Sequence, residues 1–107
     1  MKKYYNKLVR DKIPEIIELS GKAYVIEILS NEDYLKMLDE KLNEEVAEYQ
    51  ADNNIEELAD ILEVLYAIMH AHGYSLDVLE KIRKEKADKR GAFAKRLFLK
   101  YVESKEE

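Results

Sequence analysis

The most constraining feature of this chain is a long stretch that contains no helix breaker. Residues 30 to 51 include neither glycine nor proline. The Ser-x-x-Asp pattern from Ser30 to Asp33 is typical of a capping box, in which a side chain accepts a hydrogen bond from the first turn. The sequence therefore predicts a long helix that begins at Ser30 and ends at about Ala51.

A second helix is predicted immediately after this one. Asn53 and Asn54 form the break, and the pattern from Asn54 to Glu57 is again typical of a helix start. This helix is expected to run to His72 and to end at Gly73. Two helices joined by such a short link should pack antiparallel as a hairpin.

Shorter helices are expected on both sides of the hairpin. Pro14 suits the first turn of a helix from Asp11 to Ser20, and Gly21 suits its end. A fourth helix is expected from Leu76 to about Arg90, with Gly91 as the stop.

Two further segments favour extended structure. Residues 22–29 are rich in β-branched and aromatic side chains, and residues 93–102 either pair with them as a strand or continue as helix; we prefer the strand. The fold class is accordingly mainly α, an antiparallel bundle of about four helices with a small β element. At 107 residues the chain is expected to form a single domain, residues 1–107.

The charge distribution narrows the class of partner. The net charge is −5, with acidic residues concentrated in 39–63 and basic residues in 81–100. An acidic chain is a poor binder of nucleic acid polymers, whereas a small anionic ligand bridged to carboxylates by cations needs both signs of charge. Solvated helix faces give the same distribution.

Cysteine usage and hydropathy bear on location. The chain has no cysteine, which excludes disulfides and thiolate zinc sites and fits a reducing compartment. It also has no continuous apolar stretch typical of a signal peptide or membrane span. We therefore expect a cytoplasmic protein without membrane partners.

Carboxylates occupy positions of the hairpin where apolar residues are expected. Glu45 interrupts a heptad-like apolar seam on the first long helix, and Glu48 stands one turn along on the same side. On the next helix Glu57 and Asp60, also three residues apart, continue a seam in line with Val64. Antiparallel packing would bring these four acids to similar heights.

Four converging acids repel one another unless cations neutralise them. Hard divalent ions such as Mg²⁺ or Mn²⁺ bind carboxylate oxygens, so we expect a metal site formed by Glu45, Glu48, Glu57 and Asp60. Simpler interpretations remain for single residues, because Glu57 also fits a capping box and Glu48 also fits a solvated face.

A di-iron site is not expected in this hairpin. Such bundles use Glu-x-x-His pairs, and the residues three before His70 and His72 are Ala67 and Met69. The two histidines suit the negative dipole end of the second long helix instead.

Four motifs resemble the MazG-type, all-α nucleoside triphosphate pyrophosphohydrolase superfamily. The family signature is Glu-x-x-Glu on one helix and Glu-x-x-Asp on the next, and residues 41–48 (KLNEEVAE) and 56–63 (EELADILE) match it. Residues 7–14 (KLVRDKIP) and 86–93 (KADKRGAF) are similar to a short, single-domain, house-cleaning subgroup. The resemblance spans about residues 4 to 99.

One spacing and one residue depart from the family pattern. Only eight residues separate Glu48 from Glu57, which suggests a compact substrate pocket, and Ala92 stands where a second glycine is usual.

The resemblance implies metal-dependent hydrolysis of a nucleoside triphosphate to a monophosphate and pyrophosphate. Glu45 or Glu48 would orient the attacking water beside Mg²⁺ or Mn²⁺. Basic and aromatic side chains would hold the substrate, and the candidates are Arg10, Lys12, Lys41, Lys86, Arg90 and Phe93. A lysine on a helix is also commonly a solvated surface charge, and Phe93 also suits a core.

Other functions remain open on the sequence alone. A related enzyme acting on phosphoribosyl-ATP, dUTP or dCTP has the same carboxylates. A non-enzymatic acidic hairpin that dimerises through its apolar seams, without metal, belongs to a different class. In either case so short and apolar a hairpin is expected to form a homodimer.

Overall fold

The structure, a computed structural model, describes residues 1 to 105. It contains four helices, α1 (Ile13–Leu19), α2 (Asn31–Asp52), α3 (Ile55–Ala71) and α4 (Leu76–Arg90). The prediction of a mainly α chain with four helices is confirmed. None of these helices is long and apolar enough to cross a membrane.

The predicted β element does not form within the described part of the chain. Residues 22–29 and 93–102 have no regular helix or strand, although a tight turn lies at 94–95. Val25 and Ile28 are almost fully exposed. High β-propensity describes how a side chain fits a paired, half-buried surface, and without a neighbouring strand it does not produce one.

The chain divides into two compact units, Met1–Leu76 and Asp77–Glu107. The first contains α1, α2 and α3, and the second contains nearly all of α4 and the segment that follows it. The single domain expected from the length stays a prediction.

The α2–α3 hairpin is the centre of the first unit, and its turn follows from two asparagines. Asn53 adopts a left-handed conformation with φ of 54°, which asparagine tolerates better than most residues. Asn54 is extended, and its side chain accepts a hydrogen bond from the backbone N–H of Glu57 at 3.0 Å. The helices therefore reverse direction within two residues and pack against each other.

The ends of the two long helices also follow the sequence pattern. The Ser30 side chain accepts a hydrogen bond from the backbone N–H of Asp33, which starts α2. At the other end of the hairpin, Gly73 has φ of 79° and its N–H donates to the carbonyl of His70, which ends α3. Both predicted boundaries lie within one or two residues of the observed ones.

Few side chains are buried in the described residues. The apolar core consists of Leu38 on α2 and Val64 and Met69 on α3. The one buried charged residue is Glu45, which belongs to the same seam of α2 as Leu38. A carboxylate thus lies inside the small core of the hairpin, where it is costly unless another group neutralises it.

Candidate metal centre

Three acidic side chains from the hairpin converge on one point. Glu45 of α2 and Glu57 and Asp60 of α3 each offer one carboxylate oxygen, and these oxygens lie within 4.8 Å of one another. Oxygens bound to one Mg²⁺ or Ca²⁺ ion lie at roughly 2.0 to 2.6 Å from it, and therefore at most about 4 to 5 Å from one another, so this spacing is close to that of a metal-bound set. The group can therefore hold a metal ion, and we call it the acidic triad.

Glu45 is the most buried member of the triad, with 7% of its surface exposed. Its Oε1 lies 3.3 Å from Nζ of Lys41, whereas its buried Oε2 has no hydrogen-bond partner. Burial, followed by the neighbouring Glu48 carboxyl, raises the pKa of Glu45 above its ordinary value, against the opposing effect of Lys41. The buried, unpartnered Oε2 of Glu45 is therefore suited to bind a cation or a proton.

Glu57 combines two roles that the sequence left open. Its backbone N–H donates to the Asn54 side chain and so takes part in the cap of α3, while its carboxylate belongs to the triad. Its Oε2 is buried and has no hydrogen-bond partner. Burial, then the negative charges of Asp52, Asp60 and Glu45, raise the pKa of the Glu57 carboxyl.

Asp60 is half-buried and has a cationic partner from outside the hairpin. Nη2 of Arg10 donates to its Oδ1 at 2.7 Å. Arg10 belongs to the N-terminal segment that precedes α1, so this ion pair ties that segment to the acidic triad.

Glu48, the fourth predicted ligand, lies outside the triad. Its side chain is exposed, although it is close enough to act on the pKa of Glu45 and on that of Lys7. Asp52, which sequence reasoning missed, acts on Glu57 in the same way from the last turn of α2. The signal was present, because Asp52 follows Glu48 by four residues and shares its helix face.

A lysine network borders the triad on the α2 side. Nζ of Lys41, a predicted substrate-binding residue, lies 3.2 Å from Oε1 of Glu44 in addition to its contact with Glu45. Lys7 reaches the same Glu44 oxygen at 3.0 Å. Burial opposes the ionised form of Glu44, but the hydrogen bonds from Lys7 and Lys41 outweigh it and lower the pKa of Glu44. Lys7 and Glu44 were both missed, although Lys7 begins one of the resembling motifs.

A cavity of about 330 Å³ opens beside the triad. Arg10, Lys41, Glu45 and Asp60 form its charged wall. Its remaining lining is largely apolar or aromatic and comprises Leu8, Val9, Asp11, Tyr34, Leu38, Glu63, Val64 and Ala67. A cavity with both polar and apolar walls beside a candidate metal site is a common form of small-molecule site.

The remaining predicted substrate residues lie elsewhere in the chain. Lys12 is exposed and immediately precedes α1. Lys86 and Arg90 are exposed on α4, and the exposed Phe93 follows it, all three within the second unit. They stay candidates.

The two histidines lie at the C-terminal end of α3, as predicted. His70 is in the last turn and His72 is the C-cap residue. The His72 ring stacks on Tyr74 with centroids 5.8 Å apart. Neither belongs to the acidic triad, whose donors are all oxygens.

Comparison with known proteins shows similarity to one protein over less than half of each chain. The chain is 57% identical over 44 residues to a protein of Mycolicibacterium smegmatis described as uncharacterized, and the match covers 41% of this chain and 45% of that protein. No family model and no solved structure matches the chain.

Proposed function

We propose that this chain is a metal-dependent nucleoside triphosphate pyrophosphohydrolase whose metal ligands include Glu45, Glu57 and Asp60. The observation that carries the proposal is the pair of buried, unpartnered oxygens, Oε2 of Glu45 and Oε2 of Glu57, on two members of the acidic triad. Buried acids with raised pKa values and free oxygens are common at functional sites and rare in structural cores.

The donor set supports a hard divalent cation. Three carboxylates offer only oxygen, the ligand that Mg²⁺ and Mn²⁺ prefer over nitrogen or sulfur. Glu45, Glu57 and Asp60 would hold the ion, which would supply neutralisation of phosphate charge and a more acidic bound water. We propose that Glu48, which is exposed beside Glu45, completes the ligand set.

The proposed reaction is attack of water on the α phosphorus. The new bond joins the water oxygen to that phosphorus, the bond to the oxygen bridging the α and β phosphates breaks, and pyrophosphate leaves with the electron pair. The water proton passes to a carboxylate, for which Glu45 and Glu48 are the candidates.

Cations beside the triad supply the phosphate contacts. Arg10 and Lys41 line the cavity together with Glu45 and Asp60, so a triphosphate that enters it meets both cations. A guanidinium is well suited to phosphate because its donors form a planar fork. Lys12, Lys86, Arg90 and Phe93 stay proposed substrate residues from the resemblance to the MazG-type superfamily.

The lining of the cavity indicates only the general kind of group, a base or a sugar, that the substrate would place there. The aromatic and aliphatic part of the cavity suits a flat base or a sugar, and Tyr34 offers a hydroxyl. The alternative substrates are dUTP, dCTP and phosphoribosyl-ATP.

Because the chain lacks cysteine, we propose a reducing compartment such as the cytoplasm.

The direct test is a screen of nucleotides for pyrophosphate release. We expect release from at least one canonical or modified nucleoside triphosphate in Mg²⁺ or Mn²⁺, and none with a chelator. Glu57→Gln should lower the rate by roughly 100-fold or more, since a metal ion supplies several kcal/mol of transition-state stabilisation.

The matched control is Glu40→Gln, which alters an exposed α2 glutamate outside the triad and should keep the wild-type rate. If no nucleotide releases pyrophosphate and the protein binds no Mn²⁺ in equilibrium dialysis, the acidic interaction module is the better description.

A homodimer is also proposed, on the basis of the exposed apolar face of α3. Ile55, Leu58, Leu62 and Leu65 follow helical spacing and are all exposed. Contiguous apolar surface of this kind is uncommon on monomers and typical of interfaces. We expect light scattering to give twice the chain mass at micromolar concentration, and Leu62→Glu to give the monomer mass. A wild-type monomer would contradict the proposal and leave the metal site unaffected.

A further inference from the structure

Two cationic side chains contact the carboxylates that we propose as metal ligands. Nη2 of Arg10 lies 2.7 Å from Oδ1 of Asp60, and Nζ of Lys41 lies 3.3 Å from Oε1 of Glu45. We infer that these cations, and Arg10 above all, make metal binding depend on the nucleotide: they weaken binding of the ion alone and strengthen binding of the ion together with a polyphosphate. This inference rests on the proposed function.

The first step is electrostatic. A divalent ion at the acidic triad would share carboxylates with both cations, at distances too short for solvent or salt to screen the repulsion fully. Arg10 and Lys41 therefore compete with the ion for the same negative charge. The site should bind the metal alone more weakly than its carboxylates would without them.

A polyphosphate reverses the sign of this effect. Its phosphates carry several negative charges, which attract the divalent ion and both cations at once. Arg10, Lys41, Glu45 and Asp60 line the same cavity, so one ligand can contact the cations while the ion stays at the triad. Because binding free energies are linked, a nucleotide that tightens ion binding is itself bound more tightly by the ion-loaded protein.

Arg10 is better placed than Lys41 to exchange partners. Its side chain is 59% exposed and belongs to the irregular N-terminal segment. Lys41 is mostly buried on α2, where it also contacts Glu44. The exposed guanidinium can turn from Asp60 to a phosphate with little loss of packing, which makes Arg10 the residue to test.

The experiment measures two affinities of the Arg10→Gln protein. Mn²⁺ alone is titrated by electron paramagnetic resonance of the free ion, and an α,β-methylene nucleoside triphosphate is titrated by calorimetry at saturating Mn²⁺. We expect Mn²⁺ alone to bind about five- to tenfold more tightly and the analogue about tenfold more weakly than in the wild type. A merely structural role for Arg10 would weaken both.

Arg83→Gln is a closely matched control. Nη2 of Arg83 lies 2.7 Å from Oε1 of Glu80, and the Arg83 side chain is 61% exposed, so the pair has the same length and similar exposure. Both affinities should stay at the wild-type values in this variant.

The outcomes separate the inference from the proposed function. Unchanged or weaker Mn²⁺ binding by Arg10→Gln, with normal binding by the wild type, overturns the inference alone. A wild-type protein that binds no Mn²⁺, with or without the analogue, overturns the proposed function and the inference together.

Discussion

Glu45→Gln is expected to remove activity and metal binding while making the metal-free protein more stable. The carboxylate is buried in the core beside Leu38, Val64 and Met69, and its Oε2 lacks a partner. Glutamine has nearly the same shape and no charge, so it removes the cost of a buried, poorly compensated ion. A residue retained at a cost to stability is typical of a functional site.

Two measurements check this expectation. Thermal unfolding at about pH 7 should give a higher midpoint for metal-free Glu45→Gln than for the wild type, by roughly 4 to 8 °C for each kcal/mol gained. Pyrophosphate release should fall by roughly 100-fold or more. The control is again Glu40→Gln, which should change neither. A destabilised Glu45→Gln protein would show instead that the Lys41 ion pair stabilises the fold.

Divalent ions are expected to reverse the pH dependence of stability. Burial and neighbouring acids raise the pKa values of Glu45 and Glu57 in the folded chain above their ordinary value of 4.5. The folded state therefore holds protons that the unfolded state has released, and the stability linked to these protons is lost as the pH rises from about 4.5 through the raised values. Metal-free protein should be more stable near pH 5 than near pH 8.

The other acids with shifted pKa values do not alter the expected loss of stability of the metal-free protein between pH 5 and pH 8. The pKa values of Glu44 and Glu80 are lowered, so their contribution to the free energy of unfolding is present above about pH 4.5 and is lost only at more acidic pH.

Saturating Mg²⁺ should raise the unfolding midpoint near pH 8 by on the order of 10 °C and have much less effect near pH 5, because protons compete with the ion. Equal Mg²⁺ effects at the two pH values would place the ion away from Glu45 and Glu57.

The hairpin was predictable because its signals are local. Ser30 and Asn54 each accept a hydrogen bond from a backbone N–H three residues later, and Gly73 supplies the positive φ at the end of α3. Such interactions involve residues within one turn, so they can be read directly from the order of side chains. The apolar seams then indicated which faces of α2 and α3 meet.

The extended segments were not predictable in the same way. Residues 22–29 have the composition of a strand, but a strand is completed by hydrogen bonds to a distant neighbour. In the described structure they form none of the expected pairing, and composition carries no information about whether a partner will be present.

The sequence predicted that Glu45, Glu57 and Asp60 would converge, but it did not predict that Glu48 would lie apart from them. Glu45, Glu57 and Asp60 follow helical spacing, so the hairpin brings them together, whereas the exposure of Glu48 depends on the rotation of α2 about its axis. The contact between Arg10 and Asp60 joins residues fifty positions apart through an irregular segment, for which no periodicity exists.

The order of side chains by itself determined the four helices, the caps of α2 and α3 and the placement of acids on the inner faces of the hairpin. Tertiary structure alone decided which acids meet, which oxygens are left without partners and which cations reach them. Helix formation depends on neighbours within a turn, while burial and charge pairing depend on distances between parts of the chain that meet only when it folds.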